Sequence, residues 1–265
     1  MAKFVPLPTR AFGAEPGIPD VAALAGWIAE HRGTAADLTG CKLDLSLAPQ
    51  LEAGITAPCV GGLFCRDRVV ESFTGLNEKR DTITGEIDIE GTALTADAAI
   101  LAAQKKNVWC ALPAPSELGI TDAYYHDEDE REDAVAVAYG KIMRNMRDAG
   151  IGGHILIAKK AVPCDIAPLA RKNVFFFVPS ASKEDLETLL EYQKEVAVGP
   201  SPAVDLSSLT DEFEINRVFL IDPDEDAIMS ALSSFDPDQI SVGGYCTGAC
   251  DTYWKKLAKS AVYRK

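Results

Sequence analysis

The sequence predicts an α/β protein built on a mostly parallel sheet, with a (β/α)8-like barrel favoured over an open doubly wound sheet. Two observations lead there. Apolar runs without polar alternation, such as HILIA at 154–158 and NVFFFVP at 173–179, read as strands buried on both faces, and helical patterns separate them. Counting strand starts at Lys42, Cys59, Asn107, His154, Asn173, Glu195, Val218 and Gln239 gives eight, the number that closes a barrel.

Residues 1–19 contain four prolines and read as an extended arm ahead of a single domain that takes in the whole chain, 1–265. Asp20 opens a helix through Val21, Leu24 and Ile28, with Gly33 as its stop. KLDLSL from Lys42 alternates like a strand, and CVGGLFC from Cys59 reads as a buried one. Residues 69–90 change to short alternating segments around Gly75 and form a hairpin-like excursion. Helical spacing resumes at Leu94, Ala98 and Leu101. A strand at Asn107 and a long helix from about Glu130 follow, and the acid run DEDERED at 127–133 complements the positive end of that helix dipole. After the strand at His154, Pro163 opens a short helical link to the strand at Asn173. Ser182 and Asp185 have capping-box spacing for the next helix. Strands at Glu195 and Val218, a helix from Asp224 and a last strand at Gln239 complete the rhythm.

Composition narrows the function classes. A net charge of −14 opposes non-specific binding to nucleic acid or an anionic membrane, so neither is an expected partner. The N-terminus has no apolar core of signal-peptide type, which places the expected protein in the cytoplasm. Seven cysteines then read as buried thiols, reactive thiols or metal ligands rather than a disulfide framework. No Walker motif, GxGxxG, HExxH, GxSxG or CxxC pair is present.

In parallel α/β architectures chemistry gathers at the carboxyl ends of the strands. The stretch QISVGGYCTGACDTYWKK at 239–256 reads as strand, glycine-rich turn and helix, with Gly243, Gly244 and Gly248 available to cradle a phosphate or other cofactor group. Cys246 and Cys250 sit at that turn, and Cys65 and Cys164 follow two other strands. Thiolates in such a place suit zinc or an iron–sulfur centre. The pair also reads as a redox couple. A different expectation uses Lys159 or Lys160 as an amine of lowered pKa or a Schiff-base former, with Asp222 as acid or base, in a metal-free lyase or isomerase acting on a small phosphorylated or carboxylated metabolite. A third makes the chain a non-catalytic binding or accessory subunit. In each enzyme reading the partner is a small-molecule ligand.

Overall fold

Eight parallel strands form the centre of the computed structural model, which describes residues 4–31, 36–199 and 206–264. The strands are β1 (Thr9–Pro16), β2 (Cys59–Gly61), β3 (Trp109–Pro113), β4 (Gly153–Ile157), β5 (Val174–Phe177), β6 (Glu195–Val198), β7 (Arg217–Ile221) and β8 (Ile240–Gly248). They pair as two four-stranded arcs, in the orders β1-β8-β7-β6 and β2-β3-β4-β5. Between β1 and β2 the Ala57 N–H donates to the Thr9 carbonyl and Ala57 accepts from Ala11, each at 3.0 Å. Between β5 and β6 a side chain replaces backbone pairing. Gln193 accepts from the Phe176 N–H at 2.9 Å and donates to the carbonyls of Phe176 and Glu195 at 3.2 and 3.1 Å.

Aromatic rings fill the interior. Phe12 packs against Phe175, Phe177 and Phe219 with centroids 5.4, 4.9 and 5.2 Å away, so the barrel is a packed core rather than a pore. Towards the amino-terminal ends of the strands the Arg10 guanidinium lies 4.2 Å from the centre of the Trp109 ring.

Helices follow the strands: α1 (Val21–Glu30), α2 (Leu38–Glu52), α3 (Arg66–Glu71), α4 (Ala93–Gln104), α5 (Glu128–Asp148), α6 (Pro163–Leu169), α7 (Lys183–Leu190), α8 (Leu206–Thr210), α9 (Glu225–Leu232) and α10 (Cys250–Ser260). Sequence signals account for several of their starts. Asp20, Asp37, Asp127 and Asp224 each accept a backbone N–H at an N-cap, and Ser182 with Asp185 forms the full capping box. Gly33 lies outside the described residues, and α1 ends at Glu30 with His31 as cap. Among the described residues no helix is long and apolar enough to cross a membrane.

Three local expectations are corrected. Residues 42–47 are helical, inside α2: Leu43 and Leu47, four apart, are buried while Leu45 is exposed, so the alternation was half of a helical pattern. The eighth strand is instead Thr9–Pro16, within the stretch read as an arm. Prolines bracket it, and its centre, Ala11 and Phe12, is fully buried. The supposed turn at Gly243 and Gly244 is strand, because β8 runs on to Gly248. Within 69–90, α3 gives way to antiparallel bridges Phe73–Ile89 and Leu76–Ile83, and Thr82–Ile83 pairs in parallel with Thr121–Asp122.

Candidate active site at the carboxyl mouth of the barrel

β1 and β8 are parallel neighbours whose carboxyl ends pair Ala14 with Cys246 and Glu15 with Thr247. This register brings Glu15 and Tyr245 together, and the Tyr245 hydroxyl donates to Glu15 Oε1 at 2.8 Å. The same oxygen accepts the N–H of Leu63 from the turn after β2, at 2.5 Å. Gly62 makes that approach possible, since a Cβ there would lie 2.2 Å from Glu15 Oε1. Oε2 carries no hydrogen bond within the described chain. The Tyr245 ring stands edge-on to Phe177 at 5.7 Å, and burial followed by the Glu15 charge pushes its hydroxyl pKa well up. Tyr245 is therefore a fixed donor, and Glu15 an oriented carboxylate with one oxygen uncommitted.

Cys65 lies close by, its sulfur 3.3 Å from where a Cβ on Gly61 would stand. Burial pushes its thiol up to about 12, which makes it a protonated core group. Cys246 and Cys250 are bonded to each other as a disulfide with Cα atoms 5.8 Å apart. The end of β8 and the first turn of α10 bring the two within reach, a pairing that departs from the metal-ligand expectation and that the redox-couple reading includes. Both are buried, at 1% and 5% exposure.

The remaining sequence candidates are dispersed. Cys164 lines a cavity between α5 and α6, with a thiol raised to about 11 by burial and by a hydrogen bond with Glu132. Among the described residues no three or more histidine, cysteine or carboxylate groups are arranged to hold a metal ion. Lys159 is 82% exposed and pairs with Glu117 at 2.9 Å, and Lys160 is exposed beside it. Asp222 follows β7 at φ 48°, a strained conformation for a non-glycine residue, and accepts from the Tyr253 hydroxyl at 2.6 Å. Burial raises its carboxyl pKa and the Tyr253 bond opposes that.

Gly243 and Gly244 serve packing. A Cβ on Gly243 would meet Ile221 at 2.6 Å and Phe12 at 2.9 Å, and one on Gly244 would meet the Tyr253 hydroxyl at 2.6 Å. Gly248, at φ +98° and exposed, is the glycine of the three that bends the chain. Sequence reasoning missed Glu15 and Tyr245. The signal for Glu15 was an acid closing the apolar run AFGA, hidden inside a segment judged by its prolines.

No protein-family model matches the chain, and no curated protein matches it. Solved structures do. A B12-independent methionine synthase from Shewanella sp. W3-18-1, in complex with selenomethionine, superposes with a TM-score of 0.67 at 18% identity, over 97% of this chain and 96% of that one. A proposed vitamin-B12-independent methionine synthase from Listeria monocytogenes gives 0.64 at 17% identity, over 93% and 94%. The likeness runs nearly end to end in both chains and shows the fold, a parallel eight-stranded α/β barrel.

Proposed function

We propose that the protein is an enzyme acting on a small polar metabolite held at the carboxyl mouth of the barrel, with Glu15 as the carboxylate that anchors it or exchanges its proton. The observation that carries this reading is the fixed state of Glu15. One oxygen is tied down by the Tyr245 hydroxyl and the Leu63 amide, and the other is uncommitted at the end of the barrel where active sites gather. A carboxylate oriented in this way pairs with an ammonium group or takes a proton from a bound substrate without first having to be ordered.

The ligand class is drawn from the Shewanella protein, which was solved with selenomethionine. A methionine-type amino acid offers an ammonium to Glu15 and a polarizable thioether to the half-buried ring of Tyr245.

The donor set does not fit a zinc or iron–sulfur centre. Cys246 and Cys250 are committed to each other and Cys164 lines a separate cavity. The burial of both sulfurs also makes the disulfide a tether between β8 and α10 rather than a site of exchange, which needs an accessible sulfur. The lyase reading gains little from a lysine whose ammonium is solvated and paired with Glu117.

Titration calorimetry with L-methionine and L-selenomethionine tests the proposal. Saturable binding is expected, weakened at least about tenfold by Glu15→Gln and several-fold by Tyr245→Phe, which keeps the ring contact with Phe177. Equal binding by a correctly folded Glu15→Gln protein would remove Glu15 from the site. Absence of any small-molecule binding at the mouth would favour the non-catalytic subunit.

A further inference from the structure

The cavity lined by Cys164 lies outside the mouth, between the loop after β3, the first turns of α5 and the start of α6. Its volume is about 270 Å3, room for roughly nine water-sized volumes at ~30 Å3 each. Asp165 lines it and is 94% buried, a carboxyl group on the inside of the protein. One of its oxygens accepts the Ser116 N–H at 3.1 Å and the Ser116 side chain also bonds the carboxyl group, while burial raises its pKa. No cationic side chain pairs with it among the described residues. Arg131 is the cation in the cavity wall, and its guanidinium is committed to Glu128 and Glu132 at 3.3 and 3.1 Å. Glu132 adds a second carboxylate to the lining, so the charge balance of the wall is negative. The lining also includes the aliphatic side chains of Ile120, Val135 and Val162.

A buried carboxylate without a countercharge is costly, and the cost falls when a cation enters beside it. We infer that this cavity is a binding site for a small aliphatic amine, whose ammonium pairs with Asp165 and whose hydrocarbon body lies against Ile120, Val135 and Val162. The inference is independent of the mouth. None of the residues that hold Glu15 lines this cavity.

The test uses the full chain carrying Glu15→Gln, so that the carboxylate proposed to hold an ammonium at the mouth is removed. The probes are n-butylamine, n-butanol and butyrate, which share a chain length and differ in charge. Calorimetry should show saturable binding of the amine, with the alcohol and the acid weaker by at least about tenfold. Asp165→Asn should weaken the amine by a similar factor, and Val135→Phe, which fills the cavity from α5, should abolish its binding while leaving Asp165 in place. Far-ultraviolet circular dichroism checks that each variant folds, and if Asp165→Asn does not, Val135→Phe decides. Equal binding of the three probes, no binding of the amine, or amine binding that survives Val135→Phe overturns the inference.

Discussion

His154 is wholly buried in β4, and neither ring nitrogen has a hydrogen-bond partner among the described residues. Its register partner on β3 is Cys110, another buried group. Burial, helped by the charge of Arg147, lowers the imidazole pKa from 6.5 to about 3. The unfolded chain therefore takes up a proton below pH 6.5 that the folded chain refuses until about pH 3. Stability contributed by the neutral ring is complete above pH 6.5 and falls by about 1.4 kcal/mol per pH unit below it. His154→Leu should remove that slope, so that urea denaturation at pH 5 finds the variant more stable than the parent by about 2 kcal/mol relative to their difference at pH 8. A slope unchanged by the substitution would assign the acid sensitivity to other groups. The strand start read at His154 is thus also a core position. Glu15 shows the opposite case. Its role depends on Tyr245, 230 positions away, and no local pattern reports a partner at that separation.

Elements were legible where their signal was local. The capping spacing of Ser182 and Asp185 and the acid run from Asp127 marked helix starts, and the apolar runs of β4 and β5 marked strands. Errors arose where one pattern served two periods, as in KLDLSL, or where punctuation outweighed content, as in the proline-flanked β1. Glycines misled for a related reason, since a glycine chosen for close packing looks the same in sequence as one chosen for a turn. Two substitutions separate these causes. At Gly61, φ is +84° and a Cβ would stand 2.5 Å from the Ala111 carbonyl oxygen. At Gly54, φ is +71° with nothing within 4 Å. Gly54→Ala should cost about 1 kcal/mol, the left-handed backbone term alone, and Gly61→Ala more than about 2 kcal/mol because contact adds to strain. Equal losses in urea denaturation would show that β2 can shift away from β3 at little cost.

At the scale of the whole molecule, the barrel consists of two arcs joined at one seam by backbone bonds through Ala57 and at the other by an amide side chain. Gln193 spans β5 and β6. On the edge of β2 away from β3, Gln50 accepts from the Cys59 N–H at 2.9 Å and donates to the Cys59 carbonyl at 2.7 Å. Gln193→Leu should cost roughly 2–4 kcal/mol, from three lost bonds at about 1 kcal/mol each and the backbone groups left unpaired. Hydrogen exchange should quicken first at Phe176, whose N–H loses its acceptor, whereas Gln193→Glu keeps that acceptor and should retain most of the protection. Unchanged exchange at Phe176 in the leucine variant would mean that the seam closes without the amide. Neither glutamine was marked by the sequence, because a polar residue in a loop or a helix carries no sign that it will complete a sheet.

One pairing outside the barrel bears on how the chain could be rewired. Phe4–Pro6 lies antiparallel to Val262–Arg264, with Phe4 opposite Arg264, and β1 and β8 are themselves neighbours. The first and last described segments thus meet edge to edge, and the strand order has no topological start. A short peptide bridge joining them would make the backbone a closed ring of β/α units. A circular permutant opened at the exposed turn Glu78–Lys79 would then keep every barrel strand, Gln50 and Gln193 in place.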